Sequence, residues 1–410
     1  METLQSTLLA KLISEAGSNV AFQRERFTRS GIDPARVRTI GDLATLPPVS
    51  KTEMLAAGYP ALVNLALGKR LMWPVTSGSS GEPFKFAVDP FFHSRSDAVR
   101  GYVYKLDGFS SGVAVEMYLG RGATGDRDPG IGSFDRHIIG YGGKIEDRAA
   151  QIVSINPHLL YGNVSQLLEL AEHLSLTNQR LPRLAHVISS SEPLHNEHRR
   201  RFMECFGVRV RDVYGLAEVS GFCFEREPGR GYSVVEPRVI VELLIDGKPA
   251  ERGEVGEVVV TSLDNAAMPF IRFATGDFAS LAPSSAESGR PGMLLADIQG
   301  RAVDTISRPD GSLVPYGPLG NAPWGLPEVF GNVNRWQIVQ EQPDLVRVRI
   351  VLRDRSVEVP VLQAIETALS DVLGPSMRLI VEPVGDIARE ANGKFRAIKV
   401  LRPFIDSGQR

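Results

Sequence analysis

The chain carries only two cysteines, Cys205 and Cys223, in 410 residues. That is too few for a disulfide framework or a cysteine-built metal site, and both read as buried thiols. No window approaches the roughly 18 unbroken apolar residues of a membrane span. The amino terminus, METLQSTLLAKLISEAG, places acids and polar residues where a secretion signal needs a basic end and an apolar centre. The seven histidines fall in no HExxH or related metal spacing. Charge of either sign is nearly balanced, at −2 net, so no global field points to nucleic acid or an anionic membrane surface. These absences lead to the expectation of a cytoplasmic protein with no nucleic-acid and no membrane partner.

What is present is a large apolar fraction, 43 % of the residues, enough for a sizeable core and two or three domains. Strand-like and helix-like segments alternate through the first two thirds. Val113–Leu119, His158–Tyr161, Leu184–Ile188 and Val208–Val213 read as strands. Between them Asn163–Leu174 and Asn196–Phe206 read as helices, which predicts an α/β body. From Gly231 the texture changes to closely spaced strands, Val239–Ile245, Gly256–Thr261 and Phe270–Phe273, separated by Asp-Gly and Pro turns. Past Gly300 comes a compact tail. It holds a hairpin (Asn334–Gln340, Leu345–Leu352), a helix ended by Gly374 and a strand at Met377–Glu382. The fold class expected is α/β, with a large N-terminal domain over residues 1–300 and a smaller α+β domain over 301–410.

Six short segments carry polar groups at places suited to chemistry. Thr76-Ser77-Gly78-Ser79-Ser80-Gly81-Glu-Pro83 joins two strand candidates, and its hydroxyls and backbone N–H groups suit the oxygens of a polyphosphate. It lacks the Gly-Lys-Ser/Thr of a Walker A loop, and by itself it reads equally well as a linker. Ser189–Pro193 follows a strand at the edge where open α/β sheets bind ligands, and would serve as well for a helix cap. Glu218, close behind Tyr214 and Gly215, could join a Mg²⁺ ion held mainly by phosphate oxygens, or be a plain surface acid. Asp277, at the end of a strand candidate, could accept two hydrogen bonds from a ribose diol, and Arg301 lies at the domain boundary. Lys394 follows an Asn-Gly turn from which a cation could swing onto a developing phosphate anion, although a solvated hairpin turn also accounts for it.

Taken in this order, the segments resemble the adenylate-forming (ANL) superfamily, and most closely its phenylacetate-CoA ligase-like branch with the CapK and coenzyme F390 synthetase-like proteins. Asn19–Phe27, Gly31–Pro34, Leu43–Pro47 and Ser50-Lys51 are similar to the opening signature of that branch. The resemblance implies a two-step reaction: ATP-dependent adenylation of a small, aromatic carboxylic acid with release of pyrophosphate, then acyl transfer to CoA. It assigns the β- and γ-phosphates to Thr76–Gly81, adenine to Ser190, Ser191, Glu192, Pro193 and Tyr214, and ribose to Asp277 and Arg301. It further assigns Mg²⁺ to Glu218, the adenylation lysine to Lys394, and the acyl pocket to Phe134, His137, Gly140, Tyr214 and Gly215. The C-terminal domain of such proteins is mobile and pivots at a hinge, here Val303 and Asp304. Val303 stands where the superfamily usually has Asp or Lys. Arg308–Tyr316 replaces the glycine-rich strand that follows the hinge in CoA-forming relatives. An acyl carrier protein, an amine or a protein cysteine is therefore the alternative acceptor, and a non-catalytic nucleotide-binding relative is a third reading. The resemblance also allows a homodimer.

Overall fold

The computed structural model describes residues 2–68, 71–75, 84–118, 127–128, 134–140, 144–282, 292–301, 306–314, 319, 323, 326, 328–329, 332–388 and 395–401. The chain opens with α1 (Glu2–Asn19), α2 (Ala21–Arg29), α3 (Lys51–Ala57), α4 (Tyr59–Leu62) and α5 (Phe92–Leu106). Apolar residues at helical spacing explain α1: Leu9, Leu12, Ile13 and Ala16 are all buried, against Phe27 and Ile271. Helix α3 starts on a capping box, with Ser50 N–H donating to Glu53 Oε2 at 2.7 Å and Glu53 N–H returning to Ser50 Oγ at 3.2 Å.

Then come β1 (Gly112–Tyr118), β2 (Arg127–Asp128), β3 (Phe134–Gly140), α6 (Ile145–Ile155), β4 (Leu159–Asn163), α7 (Val164–Leu176), β5 (His186–Ser190), α8 (Asn196–Phe206) and β6 (Val210–Leu216). Strands β3, β1, β4, β5 and β6 pair in parallel in that order. Helices α6, α7 and α8 share a core with one face of this sheet, through Ile152, Leu167, Leu170 and Phe202. Helix α5 packs on the other face through Val103 and Tyr104. Each fully buried leucine or isoleucine there stabilises by about 2 kcal/mol before the cost of ordering it.

The sheet continues without a break into the antiparallel region: β7 (Ser220–Glu225), β8 (Tyr232–Val234), β9 (Val239–Ile245), β10 (Lys248–Pro249), β11 (Val255–Ser262), β12 (Phe273–Leu281) and β13 (Leu294–Arg301). The result is one 13-stranded sheet in the order β10-β9-β11-β12-β13-β8-β7-β6-β5-β4-β1-β3-β2. The expected change of texture is thus a change from parallel to antiparallel pairing within one sheet. The turn between β9 and β10 is Asp246-Gly247, both at positive φ (49° and 77°), the conformation an Asp-Gly hairpin turn demands.

The remaining chain builds its own core. A short hairpin, β14 (Ile306–Ser307) with β15 (Leu313–Val314), precedes β16 (Val333–Gln342), β17 (Leu345–Leu352), α9 (Glu358–Leu373), β18 (Arg378–Pro383) and β19 (Ile398–Val400). The sheet β18-β17-β16-β19 is covered by α9 through Val361, Ile365, Leu369 and Leu373. This unit meets the large sheet's helices through polar contacts. Arg353 donates to Glu172 of α7 at 2.6 Å, and the Trp336 ring lies tilted against that of His195, 6.0 Å between ring centres.

Candidate active site

The parallel strands end together. Asn163 of β4 lies opposite Ser190 of β5, and Ser190 lies opposite Val213 of β6, so the carboxyl ends of β4 and β5 open side by side while β6 runs on to Leu216. The chain leaves β5 by a sharp turn in which Ser191 takes φ +65°, a left-handed conformation uncommon for serine. Glu192 is fastened by this turn: its carboxylate accepts from Ser165 N–H at 2.7 Å and from Ser165 Oγ at 2.9 Å. Ser165 sits in the first turn of α7, where unsatisfied N–H groups and the helix dipole favour an anion. The carboxylate of the expected adenine segment is therefore committed to helix α7. Ser190 is buried, while Ser191 and Pro193 stand exposed at the crevice.

Beneath the turn lies a buried polar network. Ser189 Oγ donates to Asp212 Oδ1 at 2.5 Å, Tyr232 donates to Asp212 Oδ2 at 2.7 Å, and the Asp212 N–H donates to Glu225 at 2.8 Å. Burial, reinforced by the Glu225 carboxylate, pushes the Asp212 carboxyl up to about 6. Arg199 answers Glu225 with two hydrogen bonds, at 2.6 and 3.1 Å. Sequence reasoning did not single out Asp212; its signal is an Arg211-Asp212 pair set between two valines of a strand.

Two of the expected site residues are brought together across the sheet. The Tyr214 hydroxyl donates to Asp277 Oδ2 at 2.7 Å. Burial first, and then the Asp277 charge, hold the Tyr214 phenol well above its ordinary range, so it stays a donor. Asp277 is 5 % exposed, its N–H donates to Thr275 Oγ1 at 3.0 Å, and its register partner on β13 is Arg301. Gly276, at φ +74°, makes the local kink. One expectation is corrected here. Asp277 was placed at the end of a strand over Phe270–Phe273, but β12 begins at Phe273 and carries Asp277 in its middle.

The reason is Arg272, at φ +47°. Its guanidinium donates to the carbonyls of Leu43, Ala44 and Leu46, at 3.1, 3.2 and 2.5 Å, and grips Glu242 at 2.9 and 3.1 Å. Its backbone carbonyl takes Val49 N–H at 2.8 Å. Arg26 adds hydrogen bonds to Ile271 and Pro47 carbonyls at 2.9 and 2.7 Å. The N-terminal signature is therefore the clamp that holds the strand entering Asp277.

Glu218 sits in the turn between β6 and β7 and is 7 % exposed. Among the described residues no cluster of three or more His, Cys, Asp or Glu side chains could hold a metal alone. A single buried carboxylate fits Mg²⁺ only where phosphate oxygens supply the rest. Thr76–Pro83, Val303, Asp304 and Lys394 lie outside the described residues, as does the side chain of Arg301. The flanks of the Thr76–Pro83 segment pair antiparallel, Met72 with Val88 and Val75 with Lys85.

Helix α5 and strands β4–β7 enclose a cavity of about 40 Å³, lined by Val99, Arg100, Val103, Tyr161, Ile188, Val213, Gly221 and Cys223 among others. Its charged wall is built on Glu116, which is fully buried. Arg100 donates to this carboxylate at 2.8 Å, Arg136 at 2.7 Å and Tyr104 at 2.7 Å. Burial raises the Glu116 pKa, but the two arginines outweigh it and hold the acid charged. Tyr214 and Gly215 follow the lining residue Val213 directly. His137 and Gly140 lie on β3, beyond β1, and do not line this cavity; His137 instead approaches Asp135 at 3.4 Å. Sequence reasoning did not identify Arg100, Tyr161 or Cys223 as lining residues.

Comparison with known proteins agrees with this layout. The model of AMP-binding enzymes matches residues 143–267. The model of the CapK C-terminal domain matches residues 306–400. A phenylacetate-coenzyme A ligase of Thermus thermophilus is 24 % identical over 98 % of this chain and 97 % of its own. One from Pseudomonas putida is 25 % identical over 72 % and 69 %. Among solved structures, 2-hydroxyisobutyryl-CoA ligase in its postadenylation state, with 2-HIB-AMP, superposes with a TM-score of 0.81 at 18 % identity, over 98 % of this chain and 89 % of that one. Both family matches and the relative matched over nearly its full length support the phenylacetate-CoA ligase-like branch of the adenylate-forming superfamily.

Proposed function

We propose that this protein adenylates a small carboxylic acid with ATP and passes the acyl group to CoA. One substrate carboxylate oxygen attacks the α-phosphorus, the bond from that phosphorus to the bridging oxygen breaks, and pyrophosphate leaves. The thiol of CoA then attacks the carbonyl carbon of the acyl-adenylate, its proton passes to solvent, and AMP leaves. The obstacle in the first step is an anion approaching a polyanion in line. The observation that carries the reading is the Tyr214–Asp277 hydrogen bond with Arg301 opposite, a buried acceptor held ready for a sugar diol at the mouth of the crevice.

In this reading Asp277 and Arg301 hold the ribose. The Ser190–Pro193 backbone and Tyr214 flank adenine, and Thr76–Gly81 wrap the β- and γ-phosphates. Mg²⁺ would be held by Glu218 with phosphate oxygens, and it supplies neutralisation of phosphate charge. Lys394 approaches carboxylate and α-phosphate, and residues 301–410 pivot about Val303 and Asp304 to exchange Lys394 for the thiol. The ion pair Arg353–Glu172 and the ring contact Trp336–His195 suit a body that must release. The relatives named above act on phenylacetate and on 2-hydroxyisobutyrate. They support a small acid without deciding between ring and chain.

Pyrophosphate release that requires both an acid and ATP tests the reading, with acyl-CoA identified by mass. No release over a broad acid panel would overturn it. The hairpin β14–β15, standing where CoA-forming relatives carry a glycine-rich strand, favours a second reading in which a carrier-protein thiol, an amine or a protein cysteine is the acceptor. Adenylate formation with no acyl-CoA, and product only on such an acceptor, would select it.

A further inference from the structure

Two contacts of the C-terminal body lead to the turn proposed to flank adenine. The first runs along α7. Glu172 accepts from Arg353 at 2.6 Å, and Asn334, its amide turned to donate, reaches the same carboxylate at 2.8 and 3.2 Å. Ser165 lies two helical turns before Glu172, about 10 Å away on the same face of α7. Ser165 in turn holds the Glu192 carboxylate, through its N–H at 2.7 Å and its hydroxyl at 2.9 Å. One helix thus carries the C-terminal body at one turn and the Ser190–Pro193 segment at another.

The second contact enters through α8. His195 caps this helix two residues after Pro193, is 6 % exposed, and has the Trp336 ring tilted against its own. The His198 ring lies 5.0 Å from that of His195 between centres, accepts from the His195 N–H at 3.3 Å, and meets the Pro193 backbone. Trp336 belongs to the core of the C-terminal body, so its ring leaves His195 only when that body moves. Helices α7 and α8 share a core through Leu167, Leu170 and Phe202, which joins the two routes in one unit. The side chains of Arg353 and Glu172 are 29 % and 24 % exposed. A pair that open to water is weak by itself, which suits a contact that must let go.

On the reading that the Ser190–Pro193 turn lines the nucleotide, we infer that docking of the C-terminal body on α7 and α8 braces this turn, so that docking and nucleotide binding strengthen each other. Glu172 and Arg353 are then positioning residues that act on the nucleotide without touching it. Linkage makes the effect reciprocal: nucleotide favours the docked body by the factor with which docking favours nucleotide. Couplings between sites typically amount to roughly 5–150-fold, and a part-exposed carboxylate with two donors belongs near the lower end. In the reaction, AMP leaves most readily once the body has swung away.

Calorimetric binding of AMP to the full-length enzyme tests this. Glu172→Ala removes the acceptor of both donors, suits a helix, and should weaken AMP binding by about five- to tenfold. Arg353→Met should weaken it by about threefold, and the double variant should bind no worse than Glu172→Ala alone. AMP should also slow hydrogen exchange over residues 332–353 in the unaltered enzyme and not in the double variant, a response that loss of stability alone would not produce. Unchanged AMP affinity in both single variants would overturn the inference. So would losses that multiply in the double variant, or exchange over residues 332–353 that ignores AMP in the unaltered enzyme. An unaltered enzyme that binds neither AMP nor ATP would instead strike the nucleotide reading on which the inference stands.

Discussion

Removing the Tyr214 hydroxyl is the sharpest probe of the proposed nucleotide site. Tyr214→Phe keeps the ring on Phe222, 5.1 Å away between centres, and deletes only the donor to Asp277. A hydrogen bond to a charged acceptor contributes about 1.5–3 kcal/mol net, and more is at risk when the acceptor is buried. Asp277 is 5 % exposed, so the change should cost stability of about 2 kcal/mol and free the carboxylate to turn from its present aim. If that aim serves a ribose, part of the loss appears as weaker ATP binding. An energy of 1.4 kcal/mol expressed there is about tenfold in apparent KM. The assay is pyrophosphate release across an ATP titration at saturating acid, beside the melting temperature. Asp277→Ala should raise the same KM further, and the double variant Tyr214→Phe/Asp277→Asn should show a coupling energy of about 1 kcal/mol or more. A lowered melting temperature with an unchanged KM for ATP in Tyr214→Phe and in Asp277→Ala would refute the reasoning and leave the pair a structural rivet.

Lys394→Ala should cripple adenylation while sparing thioester formation from a supplied acyl-adenylate, and equal loss in both half-reactions measured separately would refute the split. Arg272→Ala strips donors from the Leu43, Ala44 and Leu46 carbonyls and leaves the half-buried Glu242 without its guanidinium, so it should destabilise by about 3 kcal/mol in denaturant titration. Asp212 has its folded pKa raised to about 6 from 3.8, so its protonated form favours the fold; that contribution is full below pH 4 and lost as pH rises through 6. Asp212→Asn should therefore gain melting temperature over the parent as pH goes from 4.5 to 7.5, and a gap that stays flat over that range would contradict the assignment.

The elements with clear periodicity were legible before any coordinates. Helix α8 spans Asn196–Phe206 as read, and the hairpin and α9 of the tail fall where apolar spacing put them. Strand β12 was misplaced by a few residues because Phe270–Phe273 is as apolar as a strand. What ends that resemblance is Arg272, whose left-handed backbone is fixed by acceptors more than 200 residues away. The continuity of the large sheet was equally hidden, since pairing such as β13 with β8 joins segments about 60 residues apart. Glu192 shows the same limit at a single side chain. Its motif marked a ligand edge, yet its carboxylate is spent on Ser165 of a neighbouring helix, a contact no local pattern encodes.

This division explains why the reaction class was readable and the acid was not. The groups proposed to hold the nucleotide sit in short stretches, such as Ser190–Pro193 and Thr275–Asp277, where turn chemistry and spacing leave a local trace. The cavity under α5 has no such trace. Arg100 comes from α5, its counterion Glu116 from β1, Tyr161 from β4 and Val213 from β6, and each looks like an ordinary core or surface position in its own segment. Only the pairing of β4, β5 and β6 under α5 makes them neighbours. A buried acid with two arginines is a costly thing to place beside an empty space, because hydrophobic residues of like volume would stabilise at least as well.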